Sequence, residues 1–214
     1  MKVLIVGSGG REHALAWKIA SSKHLHRLFV VPGNPGTFSL GINLPIAIDD
    51  TAKIVEAAVS EKIDLAIIGP ESPLADGLAD SLRQKNIAVF GPDRAPAQIE
   101  SSKSFSKQFM QRHDIATAAG AFFESARAAA EHVRTQRGGL VVKYSGLAAG
   151  KGVFVCPDSA EALAALKEIE RRHGANAPIV VEELLEGPEV SIMGVVSGTS
   201  IQLFPPSRDH KRLL

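Results

Sequence analysis

The stretch Lys2-Val3-Leu4-Ile5-Val6-Gly7-Ser8-Gly9-Gly10 opens the chain and decides its class of fold. Residues 3–6 form an apolar run typical of a buried strand, and residues 11–22 show the periodicity of an amphipathic helix. The same alternation continues further along, with apolar runs at 28–31, 65–68 and 88–90 and helical patterns at 51–62 and 73–85. Strands separated by helices of about 10–15 residues indicate βαβ units. We therefore expect an α/β fold with a Rossmann-like parallel sheet, whose ligand loops lie at the carboxyl ends of its strands.

The alternation of predicted strands and helices changes after Gly91. The patterns there predict helices at 101–113, 125–136 and 158–173, the last opened by the capping pair Asp158 and Glu161, and strands at 140–143, 153–155, 179–181, 189–196 and 200–204. Residues 207–214 match no element. We therefore expect two domains, 1–93 and 94–214, with a boundary near residues 93–101.

Composition excludes several classes of protein. The 214 residues carry 24 Lys and Arg against 23 Asp and Glu, a balance that favours neither nucleic acid nor a membrane surface as a partner. A hydrophobic share of 45% excludes disorder, and the single cysteine, Cys156, excludes an intrachain disulfide or a cysteine-based zinc site. Signal peptides need apolar runs of about 7–15 residues and membrane spans about 20. Finding neither, we expect a cytoplasmic protein that acts on small molecules.

The first glycine loop resembles a dinucleotide fingerprint only in part. Its third glycine would stand at residue 12, which is Glu12, and no acidic residue ends the next strand at Val31. A nicotinamide or flavin site is therefore not expected. Helix-start amides around Gly9 and Gly10, together with Arg11, suit the phosphate of a substrate. A tight turn without a ligand is the alternative.

A second glycine loop, residues 146–152, gives the more specific signal. It reads Gly-Leu-Ala-Ala-Gly-Lys-Gly, which differs from a P-loop in its spacing and in the final Gly152. A loop of small residues lets backbone N–H groups close over a polyphosphate, and Lys151 adds positive charge. We expect Gly146, Gly150, Lys151 and Gly152 to form a phosphate lid, with an ordinary flexible hairpin as the alternative.

Further polar residues fit a nucleotide under that lid. Lys143 ends the strand before the loop, and Lys103 lies on the preceding helix. We therefore expect these two lysines to approach a polyphosphate from opposite sides. Residues 181–185 form an apolar strand that turns polar and suits backbone hydrogen bonds to adenine, and Glu189 follows at a spacing that suits ribose hydroxyls. Each of these residues alone is more often a solvated charge; their order and spacing favour a nucleotide site.

Six motifs together resemble the phosphoribosylamine–glycine ligases, or glycinamide ribonucleotide synthetases, a family of ATP-grasp enzymes. They are Gly7-Ser8-Gly9-Gly10-Arg11-Glu12-His13, Pro32-Gly33-Asn34-Pro35-Gly36-Thr37, Gly69-Pro70-Glu71-Ser72-Pro73-Leu74, Ser102-Lys103-Ser104-Phe105-Ser106-Lys107, residues 146–153 and Asp209-His210-Lys211-Arg212. The resemblance runs through essentially the whole chain. It implies a Rossmann-like pre-ATP-grasp domain without a dinucleotide, followed by the N-terminal portion of an ATP-grasp domain.

The resemblance also implies roles for individual residues. ATP would be held by the phosphate lysines Lys103 and Lys143, the lid 146–152, backbone groups of Glu183 and Leu185 at adenine, and Glu189 at ribose. His210 and Lys211 would lie near the transferred phosphate and acyl group, and Gly9, Gly10 and Arg11 would face 5-phosphoribosylamine. The implied reaction uses ATP and Mg²⁺ to join glycine to 5-phosphoribosylamine through glycyl phosphate, in purine biosynthesis.

Two departures from the family pattern limit what we expect of these 214 residues. Family members are roughly twice this length, and their usual Mg²⁺ ligands, a Glu and an Asn, fall in the additional part. The family sequence Lys-Ala-Asp-Gly reads Lys143-Tyr144-Ser145-Gly146 here, which affects the lid geometry. We expect little turnover from this chain alone. The alternatives are an inactive ATP- or phosphosugar-binding product of the same family, a redox Rossmann protein, and a relative that acts on another carboxylate.

Overall fold

The computed structural model describes residues 1–146 and 152–208. The first half alternates strands and helices as follows: β1 Lys2–Gly7, α1 Gly10–Ala20, β2 Arg27–Pro32, a 3₁₀ turn Pro35–Thr37, β3 Ile42–Asn43, α2 Thr51–Ser60, β4 Leu65–Ile68, α3 Glu71–Ala75, α4 Leu78–Gln84, β5 Ala88–Phe90 and α5 Arg94–Ser101. The five strands form one sheet in the order β3-β2-β1-β4-β5, and all pairs are parallel. The predicted parallel sheet is confirmed.

The apolar runs of β1 and β2 form because these strands are buried on both faces. Leu4 and Val6 pack into one core with helices α2, α4 and α5, whereas Val3 and Ile5 pack into a second core with Ala16 of α1. The carboxyl ends of β1 and β4 lie side by side, since Val6 pairs with Ile68. The glycine loop after β1 therefore lies beside residues 69–71.

The second half contains α6 Lys103–Arg112, β6 Gly120–Phe123, α7 Ala126–Val133, β7 Leu140–Tyr144, β8 Val153–Cys156, α8 Ser159–His173, β9 Ile179–Glu183, β10 Val190–Ser191, β11 Gly194–Ser197, β12 Ser200–Leu203 and β13 Ser207–Arg208. Strands β6-β9-β7-β8 form an antiparallel sheet. Helix α8 begins as predicted, because the Asp158 side chain accepts a hydrogen bond of 2.9 Å from the backbone N–H of Glu161.

The two faces of this antiparallel sheet differ in polarity. Val142 and Val181 point toward α7 and α8 and are buried in their core. Side chains alternate along a strand, so the next residues, Lys143 and Glu182, point to the opposite face. Helix α6 lies on that face, where Lys107 pairs with Glu182. The polar face under α6 positions the candidate site.

Several predicted elements are wrong in detail. The helix predicted at 73–85 is two helices, because Gly77 between α3 and α4 adopts a left-handed backbone conformation with φ 88°. The strand predicted at 189–196 is divided between β10, which pairs with β13, and β11, which pairs with β12. The helical spacing of Trp17 from Ala14 and Ala20 predicts a core position, but Trp17 is 66% exposed.

In the described parts of the chain, every helix is too short or too polar to cross a membrane.

Candidate functional site

The start of α6 is joined by several hydrogen bonds to Ser145 and Gly146, which directly follow β7. The backbone N–H of Lys103 donates to the carbonyl of Ser145 (3.1 Å), and the N–H of Ser104 donates to Ser145 Oγ (2.9 Å). The Lys103 ammonium donates to the carbonyl of Gly146 at 3.2 Å. These contacts fix Lys103 at the beginning of the second glycine loop, as its predicted role requires.

Lys103 and Lys143 lie close enough to repel each other. The pKa of the Lys103 ammonium is lowered, first because burial penalises its charge and then because the Lys143 ammonium lies nearby. An anion placed near both ammonium groups would relieve this repulsion and favour the charged form of Lys103. The root of the loop thus brings two positive charges close together.

Sequence reasoning missed two residues that complete this environment, Lys107 and Glu182. Glu182 Oε1 accepts from Lys107 Nζ at 3.0 Å, and Glu182 Oε2 accepts from Lys143 Nζ. Burial alone would raise the pKa of Glu182, but the hydrogen bonds from Lys143 and Lys107 outweigh it and lower the pKa. Two patterns carried the signal: Lys107 follows Lys103 by one helical turn, and Glu182 alternates with the buried Val181.

The described ends of the glycine loop are held by neighbouring groups. The carbonyl of Gly152 accepts a hydrogen bond of 2.8 Å from the backbone N–H of Tyr144. The ring of Tyr144 stacks on His173 at 3.9 Å between centroids, and a Cβ on Gly146 would lie 2.7 Å from that ring. Glycine is therefore required where the loop leaves β7. Gly150 and Lys151 lie outside the described residues.

Glu183 and Leu185, predicted to contact adenine, lie at the end of β9 and just after it, whereas Glu189, predicted to contact ribose, directly precedes β10. Glu183 Oε1 accepts from the backbone N–H of Ala119 at 2.6 Å, which ties the end of β9 to the start of β6. Leu185 is 65% exposed and Glu189 is also exposed. Glu183 pairs with Leu140, whereas Ile179 pairs with Tyr144. At about 3.4 Å per residue, the separation of four residues between these pairs places Glu183 about 14 Å along the sheet from Tyr144, the last residue of β7.

The first glycine loop is organised by the buried side chain of Glu12. Its Oε2 accepts from the backbone N–H of Gly9 (2.7 Å) and its Oε1 from Arg11 Nε (3.2 Å). A Cβ on Gly7 or Gly69 would lie 2.4 or 2.1 Å from Glu12 atoms. The carboxylate therefore fills the space where a dinucleotide fingerprint requires a third glycine.

The predicted substrate residues lie at the exposed rim of this loop. Gly9 is the N-cap of α1, Gly10 and Arg11 are the first two residues of the helix, and all three residues are exposed. Asn34 Nδ2 donates to the carbonyl of Ser8 at 2.9 Å, so that the loop after β2 is tied to them. The structure brings two loops together here, at a helix N-terminus suited to anions.

Two predicted catalytic residues, His210 and Lys211, lie outside the described residues. Within 1–146 and 152–208, the His, Cys, Asp and Glu side chains form no group of three that could hold a metal ion.

Comparison with known proteins supplies the family. The phosphoribosylamine–glycine ligase of Allochromatium vinosum is 48% identical over 99% of this chain, which covers 50% of that protein. The crystal structure of phosphoribosylamine–glycine ligase from Thermotoga maritima matches all of this chain and 51% of its own, with 32% identity and a TM-score of 0.81. An N5-carboxyaminoimidazole ribonucleotide synthetase in complex with ADP matches with a TM-score of 0.76 at 19% identity, over 99% of this chain and 54% of its own, and shows a similarity of fold alone. The chain spans about half the length of the curated relatives it matches.

Two family descriptions divide the chain between them. Residues 1–100 match "Phosphoribosylglycinamide synthetase, N domain", and residues 101–214 match "Phosphoribosylglycinamide synthetase, ATP-grasp (A) domain". The predicted fold class, a Rossmann-like domain followed by part of an ATP-grasp domain, is confirmed. The chain belongs to the phosphoribosylglycinamide synthetase family.

Proposed function

We propose that this chain supplies the N domain and ATP-binding residues of a ligase that joins glycine to 5-phosphoribosylamine. The products are glycinamide ribonucleotide, ADP and phosphate, and the reaction belongs to purine biosynthesis. Family membership and the names of relatives that share about half their length with this chain support the proposal. ATP, glycine and the phosphosugar are the proposed small-molecule partners.

The observation that carries the proposal is the pair of ammonium groups at the root of the second glycine loop. Lys103 and Lys143 repel each other there, and Lys103 is held on the carbonyl of Gly146. We assign both lysines to the ATP phosphates, with Gly146, Gly150, Lys151 and Gly152 closing over them. Backbone N–H groups and ammonium groups are the usual ligands of polyphosphates.

The adenosine is assigned to the other end of the same sheet. Glu183 and Leu185 offer backbone groups to adenine, and Glu189 offers a carboxylate to ribose. Glu183 lies three residues along β9 from Val180, the partner of Lys143, and this separation of about 10 Å suits an extended nucleotide with its phosphates at Lys143.

The proposed chemistry proceeds in two displacements. A carboxylate oxygen of glycine attacks the γ-phosphorus of ATP and releases ADP, which gives glycyl phosphate. The amine of 5-phosphoribosylamine then attacks the acyl carbon, loses a proton and displaces phosphate. Lysines position and neutralise the phosphates, and a closed loop excludes the water that would hydrolyse the acyl phosphate.

Further assignments complete the proposal. His210 and Lys211 are assigned to the transferred phosphate and acyl group, and Gly9, Gly10 and Arg11 to the phosphosugar. Mg²⁺ would neutralise phosphate charge when bound. Among residues 1–146 and 152–208, the His, Cys, Asp and Glu side chains form no group of three that could hold it. We also propose a domain boundary between residues 93 and 94. Separate hydrophobic cores on either side support this boundary, although Ala97 packs into the core of the first domain.

Binding of MgATP, measured by isothermal titration calorimetry, tests the site. Lys143→Ala should weaken binding about tenfold or more, because a charge-assisted hydrogen bond contributes about 1.5–3 kcal/mol. Lys167→Ala, on the exposed side of α8, is the matched control and should leave the affinity unchanged. Equal affinities of wild type and Lys143→Ala would reject the assignment.

Turnover is tested on the protein at the length found in its source, determined by intact mass. We expect ADP release that depends on both glycine and 5-phosphoribosylamine. MgATP binding without such release would support the alternative of an inactive binding product, and release with a different carboxylate would identify another substrate.

A further inference from the structure

Lys107, Glu182 and Lys143 form a triad in which a single carboxylate joins two lysines. Each carboxylate oxygen of Glu182 holds a different lysine, Oε1 that of α6 and Oε2 that of β7. The exposed fraction of the side chains rises from 4% at Lys107 through 11% at Glu182 to 26% at Lys143. The triad therefore leads from the interior to the site proposed for the nucleotide.

Lys107 is fixed too completely to bind a ligand itself. Its ammonium donates to Glu182 Oε1 (3.0 Å), to Thr117 Oγ1 (3.0 Å) and to the carbonyl of Ala118. A lysine has three N–H donors, and all three have acceptors. The buried Lys107 can therefore act on a ligand only through Glu182.

The charges of the triad leave one positive charge at its exposed end. Two ammonium groups share the single carboxylate of Glu182, so the triad has a net charge of one positive unit, and Lys143 is its more exposed lysine. Without Lys107, Glu182 would pair with Lys143 alone, and the Lys143–Glu182 pair would present no net charge to an incoming phosphate.

We propose that Lys107 and Glu182 are a positioning pair for Lys143, an inference that rests on the proposed function. Glu182 holds the Lys143 ammonium at the root of the glycine loop. Lys107 shares the carboxylate of Glu182, so that the triad keeps a net positive charge for the phosphates of a nucleoside triphosphate.

Neutralising the triad step by step tests this proposal. Lys107→Met should weaken MgATP binding about tenfold, because Glu182 then neutralises the phosphate lysine Lys143 and the cluster loses its net positive charge. The double variant Lys107→Met/Glu182→Gln regains the net charge of the wild type and should bind MgATP within about threefold of it. Lys107→Gln, which retains N–H donors without the charge, is measured in parallel so that the result does not depend on one variant's folding. Lys167→Met serves as the control for loss of an exposed lysine.

A second measurement needs no nucleotide, which separates failure of this proposal from failure of the proposed function. Acylation of Lys143 by acetic anhydride, relative to Lys167, is followed by peptide mass spectrometry. Lys107→Met should slow the acylation of Lys143, because Glu182 then pairs with Lys143 alone. Glu182→Gln should speed this acylation. The double variant should return the ratio of Lys143 to Lys167 acylation toward the wild-type value.

A purely structural role predicts a different pattern. Removing both charges of a buried pair also restores stability, so a structural role predicts wild-type affinity for MgATP in every variant that is fully folded. Such wild-type affinity, folded single and double variants that bind MgATP equally weakly, or an acylation ratio that none of the substitutions changes, would overturn the proposal. Circular dichroism establishes that each variant is folded.

Discussion

The buried Glu12 and the partly buried Glu182 are carboxylates beside two different glycine loops, and they shape those loops in different ways. Glu12 accepts a backbone N–H of its own loop and fills the space beside Gly7 and Gly69. Glu182 accepts from two lysines on neighbouring elements. The first loop is thus organised by shape and backbone hydrogen bonding, and the second by charge. The difference explains why lysine side chains cluster at the second loop and not at the first.

The largest expected effect comes from breaking the charged cluster. Lys107→Met should lower the free energy of unfolding by about 3 kcal/mol, the lower end of the cost of removing one partner of a buried ion pair, because Glu182 retains Lys143. Urea unfolding followed by circular dichroism measures the change. The exposed Lys167→Met should lose less than about 0.5 kcal/mol. A loss no larger than this control's would contradict the interior role of Lys107.

The corresponding test of the first loop is steric. Gly69→Ala should cost about 2 kcal/mol, because the new Cβ would lie 2.1 Å from Glu12 Oε1 and must displace a buried side chain. In a Glu12→Ala background the same substitution should cost much less. Gly10→Ala, whose Cβ meets nothing within 4 Å, is the control. Equal costs of Gly69→Ala with and without Glu12 would show that Glu12 does not fill this space.

A smaller effect is expected from the connection between the loops after β1 and β2. Asn34→Ala should cost about 1 kcal/mol, since its side chain accepts from the N–H of Gly36 at 2.8 Å and donates to the carbonyl of Ser8 at 2.9 Å. Ser39→Ala, which removes a marginal 3.4 Å contact at an exposed position, is the comparison. Indistinguishable unfolding curves for the two variants would argue against this connection.

The smallest expected effect is the pH dependence of stability that the charge of Glu182 causes. The pKa of Glu182 is lowered from the ordinary value of 4.5, so its contribution to stability is present above that value and is lost as pH falls through the native pKa. The difference in unfolding free energy between wild type and Glu182→Gln should therefore shrink between pH 7 and pH 3. A difference independent of pH would mean that the charge of Glu182 contributes nothing.

The sequence predicted the parallel sheet well, for a physical reason. Strands buried on both faces are continuous apolar runs, and β4 and β5 were predicted with the bounds that the structure shows. Strands of two residues, such as β3 and β13, have no periodicity to detect. The break at Gly77 depends on a backbone conformation that a periodic pattern does not contain.

The candidate site was predictable only in part. Lys103 and Lys143 stand out because they flank a glycine loop, and resemblance to a family assigns them a role. Glu182 and Lys107 are ordinary charges in the sequence, and only the packing of α6 on β9 shows that they share one cluster. Tyr144, at a position where the family has alanine, became interpretable only through its stacking on His173.

Protection of lysines by MgATP tests the central claim, that a nucleotide lies between Lys103 and Lys143, most directly. Acetic anhydride labelling with and without MgATP, quantified by peptide mass spectrometry, compares these two lysines with the exposed Lys167. We predict that MgATP slows the labelling of Lys103 and Lys143 together and leaves Lys167 unchanged. Saturating MgATP that protects neither lysine, or that protects all three equally, would contradict the account.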